Sequence, residues 1–140
     1  MRFRSQHSVR ARLTLLARYR GNDLAYLDAR RGQIVTWKDI GGHALDWRDQ
    51  LKGVGVVGLR TNNPSVFCRA YLAALASGVC VVPIDPRATR DELGTMLDAL
   101  EVSDLVVDPN TEAEVVETGL NIWVSSCAGL SLGRQAVRRP

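Results

Sequence analysis

The chain has 140 residues and a mass of 15.4 kDa, which is the size of one domain. Its residues are 46% hydrophobic and 24% charged, which is the composition of a folded globular protein. Its longest apolar runs, over residues 54–59 and 79–84, are far shorter than the roughly 20 residues of a membrane-spanning helix, so we expect no membrane span. The formal net charge of +3 is too small to indicate a nucleic-acid partner.

Basic residues are concentrated at the amino terminus. Residues 1–20 contain six arginines and no acid, whereas the rest of the chain carries a net negative charge. An arginine-rich, acid-free start is typical of organelle transit peptides and of phosphate-binding arms. Here the interleaving of Leu13 and Leu16 with Arg12 and Arg18 favours a solvated amphipathic helix. We therefore predict a first helix over Val9–Tyr19.

The three cysteines, Cys68, Cys80 and Cys127, are odd in number and match no metal-binding spacing. Cys68 and Cys80 lie within apolar segments, where a free cysteine usually packs as a small buried hydrophobe. No apolar stretch followed by a small-residue cleavage site is present, so secretion is not indicated. These features predict a protein of the reducing cytoplasm.

Two short strands and a helix are predicted next. Leu24–Asp28 and Gln33–Thr36 have the composition of strands and are joined by four residues that include a glycine, which predicts a small hairpin. Thr36 is followed three residues later by Asp39, the spacing of a capping box at a helix start. This helix is predicted to end with Gly53 in the C′ position.

From residue 54 onward, short apolar strands alternate with helices. Strands are predicted over residues 54–59, 79–84, 105–107 and 121–124. Helices are predicted after the N-caps Asn63 and Thr89, and a short helix is predicted over residues 111–118. Strands that are apolar throughout are typical of a parallel sheet buried on both faces, and the alternation with helices implies right-handed crossovers. The sequence therefore predicts an α/β fold with a mostly parallel four-stranded sheet and flanking helices, preceded by a helix and a small β-hairpin.

The helix predicted from Pro64 to Ser77 is apolar on every side. Ten of its fourteen residues are hydrophobic, and such a helix is normally buried all around. Because a single layer over a four-stranded sheet would leave half of the helix in water, we expect its outer face to pack against the remainder of a larger polypeptide or against a partner protein.

After residue 124 the alternating pattern ends. Residues 125–140 contain three arginines, no acid and several serines and glycines, which is the composition of a linker. We therefore expect an α/β subdomain over residues 1–124 and a linker or tail over residues 125–140. A phosphate-binding loop over residues 125–133 is the alternative, but the only lysines, Lys38 and Lys52, lie far upstream.

Two short patterns match ligand-binding motifs incompletely. Gly53, Gly55 and Gly58 fit the G-x-G-x-x-G dinucleotide fingerprint, which requires glycines in the turn between a strand and a helix. Here they begin the predicted strand itself, where close backbone packing is the simpler explanation. His43 follows Asp39 by four residues on a predicted helix, a spacing compatible with a metal pair, but no third ligand accompanies them. We therefore predict a surface histidine at position 43, and the metal pair is the alternative.

Polar residues follow the ends of the buried strands. They are Arg60, Thr61 and Asn62 after the first, Asp85 and Arg87 after the second, and Asp108 and Asn110 after the third. The carboxyl ends of parallel strands share one edge of a sheet, where such sheets bind ligands. Turn formation and helix capping explain several of these residues equally well. Because no nucleophile–histidine–carboxylate set stands at a motif spacing, we assign no catalytic, cofactor-binding or metal-binding residue.

Four pieces of sequence then stand in a recognisable order. They are V-T-W-K-D-I over residues 35–40, T-N-N-P-S-V-F over 61–67, A-A-L-A-S-G-V-C-V-V-P-I-D-P over 73–86, and Glu92-Leu93 followed by S-D-L-V-V over 103–107. In this order they resemble the N-terminal portion of the adenylate-forming (AMP-binding) superfamily, which comprises acyl-CoA synthetases, adenylation domains of peptide synthetases and luciferases. The resemblance spans residues 24–124. It departs from the family in the shortened glycine turn over residues 53–58, which lacks the usual aspartate, and in Gly78-Val79, which replaces the usual Gly-Ala pair.

The resemblance implies a partial N-terminal subdomain, mainly scaffold, of an acyl-CoA synthetase-like ligase. Such an enzyme uses ATP and Mg²⁺ to convert a carboxylic acid to an acyl-adenylate and then passes the acyl group to a thiol such as coenzyme A. In that family the phosphate loop ending in Pro-Lys, the nucleotide-, metal- and acid-binding residues and the catalytic lysine come later in the sequence than the residues matched here. The resemblance therefore assigns no catalytic residue to this chain.

Two functional hypotheses follow. In the first, the chain is an N-terminal fragment of an ATP-dependent acid–thiol ligase, inactive alone, and the remainder of the ligase covers the helix from Pro64 to Ser77. In the second, the chain is a standalone, non-catalytic α/β module that packs against a partner protein through the same helix. The first makes the chain part of an enzyme, and the second does not.

Overall fold

The computed structural model of the chain describes residues 8–109, 119–126 and 129–135. The helices and strands in this part follow one another in the order α1 (Val9–Tyr19), β1 (Leu24–Asp28), β2 (Gln33–Thr36), α2 (Trp37–Gln50), β3 (Val56–Arg60), α3 (Pro64–Ala76), β4 (Cys80–Pro83), α4 (Arg90–Ala99), β5 (Asp104–Val107), β6 (Asn121–Ser126) and β7 (Gly129–Arg134). The short helix predicted over residues 111–118 lies outside the described residues. Among those described, no helix combines the length and apolar character needed to cross a bilayer.

The helices begin at the residues that the sequence predicts. Thr36 and Asp39 form a reciprocal capping box at the start of α2, and Thr89 and Glu92 form another at the start of α4. The side chain of Asn63 accepts hydrogen bonds from two N–H groups of the first turn of α3. Each such cap contributes about 1 kcal/mol by satisfying N–H groups that have no partner within the helix. The predicted end of α2 is off by one residue, because Leu51 is its C-cap and Gly53, with φ at 85°, lies one position beyond C′.

The main sheet has five strands in the order β4-β3-β5-β6-β7. Strand β3 pairs in parallel with β4 on one side and β5 on the other, and β5 pairs in parallel with β6. These four strands are the predicted parallel sheet. Strands β1 and β2 form a separate antiparallel hairpin, also as predicted.

The fifth strand corrects the prediction of a linker from residue 125. Ser125 and Ser126 continue β6, and β7 then pairs with it antiparallel at the edge of the sheet. Leu130 is 5% exposed whereas Leu132 is 46% exposed, which is the alternation of a half-buried strand. Serines and glycines between these leucines obscure that alternation in the sequence. The N–H of Leu130 also donates to Oδ2 of Asp46 on α2 at 3.0 Å, a contact between distant parts of the chain.

Two apolar cores cover the two faces of the sheet. On one face, α2 and α3 bury a cluster that contains Trp47, Leu59, Ala73, Val106 and Trp123. On the other face, α4 buries a second cluster made from alternate positions of the same strands. This second cluster includes Leu93, Leu97, Val102, Leu105, Val107 and Ile122. The sheet is therefore the central layer between helices, as expected for parallel strands.

A third cluster explains the apolar surface of α3. Leu13 of α1, Val35 of β2, Ile40 of α2 and Ala76 of α3 are buried together on the side of α3 that faces away from the sheet. The expectation that α3 needs another polypeptide on its outer face is therefore wrong for most of the helix, because α1, α2 and the hairpin supply that cover. Among the α3 residues, Pro64 and Cys68 stay exposed.

Gly58 lies within β3 and not in a nucleotide-binding turn. A Cβ at this position would lie 2.9 Å from Cδ1 of Leu105 and 3.0 Å from Cδ1 of Ile84, so the glycine allows close packing, as the sequence suggests. The prediction of buried cysteines is wrong for Cys68 and Cys80, both of which are exposed free thiols. Cys80 is exposed because β4 is an edge strand of the sheet.

Candidate functional site at the carboxyl edge of the sheet

The carboxyl ends of β3, β4 and β5 meet at one edge of the sheet, as their parallel pairing requires. Asp108 follows β5 and holds the loop after β3 in place. Its carboxylate accepts a short hydrogen bond from the hydroxyl of Thr61 and a second, 2.8 Å long, from the N–H of Asn62. Thr61 Oγ1 in turn accepts from the N–H of Asn63 at 3.1 Å. The structure thus brings Thr61, Asn62 and Asp108 together, and their hydrogen bonds shape the turn that leads into α3.

Arg60 connects the same loop region to the segment after β4. Its Nη2 donates to the backbone carbonyl of Pro86 at 2.8 Å. This contact joins the loops that follow two neighbouring strands. The predicted edge residue Arg60 therefore has a positioning role in this structure, because its cation binds the backbone of the neighbouring loop.

Asp85 and Arg87 form a local turn after β4. The N–H, Nε and Nη2 of Arg87 all donate to the Asp85 carboxylate, at 2.8, 3.1 and 2.9 Å. These hydrogen bonds lower the pKa of Asp85 to about 2. Both side chains are exposed to solvent, where an ion pair contributes little to stability. Turn chemistry accounts for this pair. Asn110, the other predicted edge residue, lies outside the described residues.

A cavity of about 320 Å³ lies beside this edge. Asn62, Asn63, Asp108 and Ser125 line it with amide, carboxylate and hydroxyl groups, and Arg31 of the β1–β2 connection adds a guanidinium. Neither Arg31 nor Ser125 is predicted from the sequence to lie at this edge. The position of Ser125 at the end of β6, beside β5, would indicate it, whereas the position of Arg31 depends on how the hairpin packs. The mixture of groups suits a small polar ligand, but no nucleophile–base pair is present among the described residues that line it.

His43 and Asp39 do not form a metal site. The carboxylate of Asp39 accepts from the N–H and hydroxyl of Thr36, both at 2.9 Å, so it serves the cap of α2. His43 is half-buried with Nε2 3.5 Å from Nη1 of Arg69, and burial together with this cation lowers the pKa of His43. Across the described residues, no group of three or more His, Cys, Asp and Glu side chains could hold a metal ion.

Comparison with known proteins shows the fold. No protein-family profile and no curated protein sequence matches the chain. Among solved structures, CmiS6 matches with a TM-score of 0.76 and 16% identity over 95% of this chain and 34% of that chain. The nonribosomal peptide synthetase FmoA3, bound to α-methyl-L-serine-AMP, matches with a TM-score of 0.75 and 19% identity over 86% of this chain and 15% of that chain. The N-terminal subdomain of Klebsiella oxytoca NpsA, in complex with 3-hydroxybenzoyl-AMSN, matches with a TM-score of 0.69 and 13% identity over 84% of this chain and 30% of that chain.

These similarities confirm the predicted resemblance at the level of the fold. The chain has the α/β architecture of the matched structures, one of which is the N-terminal subdomain of NpsA, and its mostly parallel sheet lies between helices. It spans between 15% and 34% of the length of the three chains compared. The matched region is thus only a part of each of these chains.

Proposed function

We propose that this chain is the N-terminal part of an ATP-dependent enzyme that activates a carboxylic acid as its acyl-adenylate. The single observation that carries the proposal is the match of nearly the whole chain to the fold of adenylating proteins, at a TM-score of 0.75 for a structure that holds an aminoacyl-AMP. The ordered sequence motifs over residues 24–124 support the same assignment. In this proposal the acyl group then passes to a thiol, as coenzyme A thioester or another thioester.

The chain contributes scaffold to that enzyme. Thr61, Asn62 and Asp108 hold the loop after β3 through hydrogen bonds to one another, and Arg60 holds the loop after β4. Each of these residues forms a hydrogen bond with a neighbouring backbone or side-chain group. The loops that would lie beside a ligand are therefore held in a fixed conformation. Within the described ranges, no group of three or more His, Cys, Asp and Glu side chains could hold a metal ion. By the resemblance stated above, the residues that bind ATP and Mg²⁺ lie later in the complete enzyme, and we expect the chain alone to be inactive.

Exposed apolar residues on the hairpin support packing against the rest of a larger protein. Leu27 of β1 pairs with Ile34 of β2, and these side chains are 55% and 67% exposed. Leu24, on the same strand as Leu27, is 56% exposed. Burying such side chains in an interface stabilises it by about 25 cal/mol per Å² of apolar surface. We therefore assign this face, and not α3, as the surface that meets the remainder of the enzyme.

The test is acid-dependent exchange of pyrophosphate into ATP. The complete polypeptide encoded with this chain is assayed with a panel of aliphatic, aromatic and amino acids, and the 140-residue chain alone is the matched control. The proposal expects exchange that requires one class of acid in the complete polypeptide and none in the control. A folded complete polypeptide that exchanges with no acid of the panel would overturn the proposal.

A standalone module is the second candidate, because α1 and α2 cover α3 without a further polypeptide. Such a module would bind a partner through a surface other than α3. The isolated chain distinguishes the two candidates by its behaviour in solution. A standalone module is monodisperse and melts cooperatively. A fragment of a larger enzyme self-associates through the exposed side chains of its hairpin, and Leu27→Gln together with Ile34→Gln reduces that self-association.

A further inference from the structure

A groove of about 620 Å³ lies between α1 and α2 and shares no residue with the cavity at the carboxyl edge. Its apolar lining comes from three helices. Leu13 and Ala17 belong to α1, Ala44 and Leu45 to α2, and Ala76 to α3. Leu45 is exposed, whereas Leu13 and Ala76 are buried beneath it. The groove therefore offers an apolar floor that solvent reaches.

Cations form the rim of this groove. Arg10 and Arg18 contribute from α1, and Lys38 and Arg48 contribute from α2, all of them exposed. Within the described residues, no carboxylate lines the groove, and of these four cations only Arg48 pairs with an acid, at 3.9 Å from Asp49. The rim therefore carries positive charge that the described chain leaves largely uncompensated.

The spacing of the cations indicates an extended ligand. At 1.5 Å of rise per residue, Arg10 and Arg18 lie about 12 Å apart along α1, and Lys38 and Arg48 lie about 15 Å apart along α2. One phosphate or one carboxylate cannot contact charges at both ends of such a groove. A nucleic-acid backbone would supply distributed charge, but it offers no apolar face for the floor. An amphipathic helix with acids beside an apolar stripe matches both features.

Two adjacent glycines show how closely such a helix could approach. A Cβ at Gly41 would lie 2.7 Å from Cβ of Ala17, so Gly41 is the point where α1 and α2 touch. A Cβ at Gly42 would meet nothing within 4 Å, although Gly42 also lines the groove. A large side chain at position 42 would therefore enter the groove without disturbing the contact between the two helices.

We propose that this groove docks an acidic amphipathic helix of a partner protein. The apolar stripe of that helix lies on Ala17, Ala44 and Leu45, and its flanking carboxylates face the cations of α1 and α2. Charge complementarity of this kind sets specificity and speeds association. The proposal is independent of the adenylating activity, because it involves none of the residues at the carboxyl edge.

The test is a selection from a displayed library of helical peptides as long as α2, which has 14 residues. The complete 140-residue chain is the target, and the library varies both the apolar stripe and the charge of its flanks. The proposal expects enrichment of peptides with a continuous apolar stripe and Glu or Asp on its flanks. Absence of enrichment, or enrichment of basic peptides, would overturn it.

Matched variants then locate the binding site. Gly42→Phe is expected to weaken binding of the selected acidic peptide about tenfold or more by filling the groove, which corresponds to about 1.4 kcal/mol. Gly42→Ala is the control that keeps the groove open. Arg18→Glu and Lys38→Glu are expected to weaken binding to a similar degree and to reduce its salt dependence, whereas Arg12→Glu, on α1 but outside the groove, is not. Equal binding by Gly42→Phe and Gly42→Ala would show that the peptide binds elsewhere.

Two alternative ligands are measured in the same way. A single-stranded oligonucleotide and vesicles of anionic lipid are titrated against the same variants. Binding of either that exceeds binding of the acidic peptide, and that Gly42→Phe abolishes, would contradict the proposed partner. Weaker binding of both, insensitive to Gly42→Phe, supports it.

Discussion

The indole nitrogen of Trp123 on β6 donates a hydrogen bond of 2.8 Å to Oδ1 of Asp104 on β5. Asp104 is only 2% exposed, and its carboxylate also accepts from Ser103 Oγ at 2.7 Å and from Asn121 Nδ2 at 3.1 Å. A carboxylate is tolerated at this depth only when donors occupy its oxygens. These donors come from the beginning of β5 and β6, so the cluster holds together the amino edge of the sheet, opposite the candidate site.

Replacing Asp104 should therefore destabilise the fold. In Asp104→Ala the buried N–H of Trp123 loses its acceptor, and the free energy of unfolding should fall by about 1–3 kcal/mol. Asp104→Asn keeps an oxygen for Trp123 and Asn121 and offers its amide to the Ser103 hydroxyl, so its loss should be less than half as large. Urea unfolding of the two variants measures the difference. Equal losses would show that the hydrogen bond to Trp123 is not the important contact.

Gly58 and Gly55 provide a pair for testing close packing in the core. Gly58→Ala places a methyl group within 3.0 Å of Leu105 and Ile84 and should lower the free energy of unfolding by about 1–3 kcal/mol. Gly55→Ala meets nothing within 4 Å and should be neutral or slightly stabilising. Thermal unfolding of both variants distinguishes packing from a general effect of replacing glycine. A neutral Gly58→Ala would contradict the packing explanation.

Gly78 and Glu101 occupy equivalent positions after α3 and α4 but differ in residue type. Both have positive φ, 74° for Gly78 and 52° for Glu101. The left-handed conformation costs a non-glycine residue roughly 1–2 kcal/mol. Glu101→Gly should therefore raise the free energy of unfolding by up to about 1 kcal/mol, and Gly78→Ala should lower it by about the same amount. Chemical denaturation of both variants should give opposite signs, and changes of the same sign would refute this.

The environment of His43 predicts a dependence of stability on pH. Burial, with the Arg69 guanidinium nearby, lowers the pKa of His43 from its ordinary value of 6.5, although Asp46 and Asp39 oppose the shift. Below pH 6.5 the unfolded chain takes up a proton that folded His43 resists, so stability is complete above that pH and declines as the pH falls toward the lowered pKa. Melting temperatures between pH 5 and 7.5 should decline less for His43→Gln than for the unsubstituted chain. Parallel declines would contradict this.

Much of the fold could be predicted from the sequence because its signals are local. The capping pairs Thr36–Asp39 and Thr89–Glu92 lie three residues apart, and the apolar strands are short and continuous. Strand β7 could not be predicted in the same way. Its position depends on pairing with β6 and on the hydrogen bond that the N–H of Leu130 donates to Asp46, which lies 84 residues away in the sequence.

The candidate site could be predicted only in outline. Parallel pairing brings the ends of β3 and β5 together, which is why Thr61 and Asp108 meet as expected. The contribution of Arg31 depends on how the hairpin packs against the domain, and no pattern near Arg31 encodes that arrangement. The burial of α3 could not be predicted for the same reason, because α1 and α2 precede α3 in the chain and contact it only through tertiary packing.

In the function proposed above, this chain is the N-terminal part of an acid-activating enzyme. The most direct test of this claim is the sequence of the encoding DNA downstream of the codon for Pro140. The account predicts an open reading frame that soon encodes a Ser/Thr/Gly-rich loop ending in Pro-Lys, followed by further domain-sized sequence. A stop codon with no such loop in any downstream frame would contradict the claim and leave a self-contained α/β module.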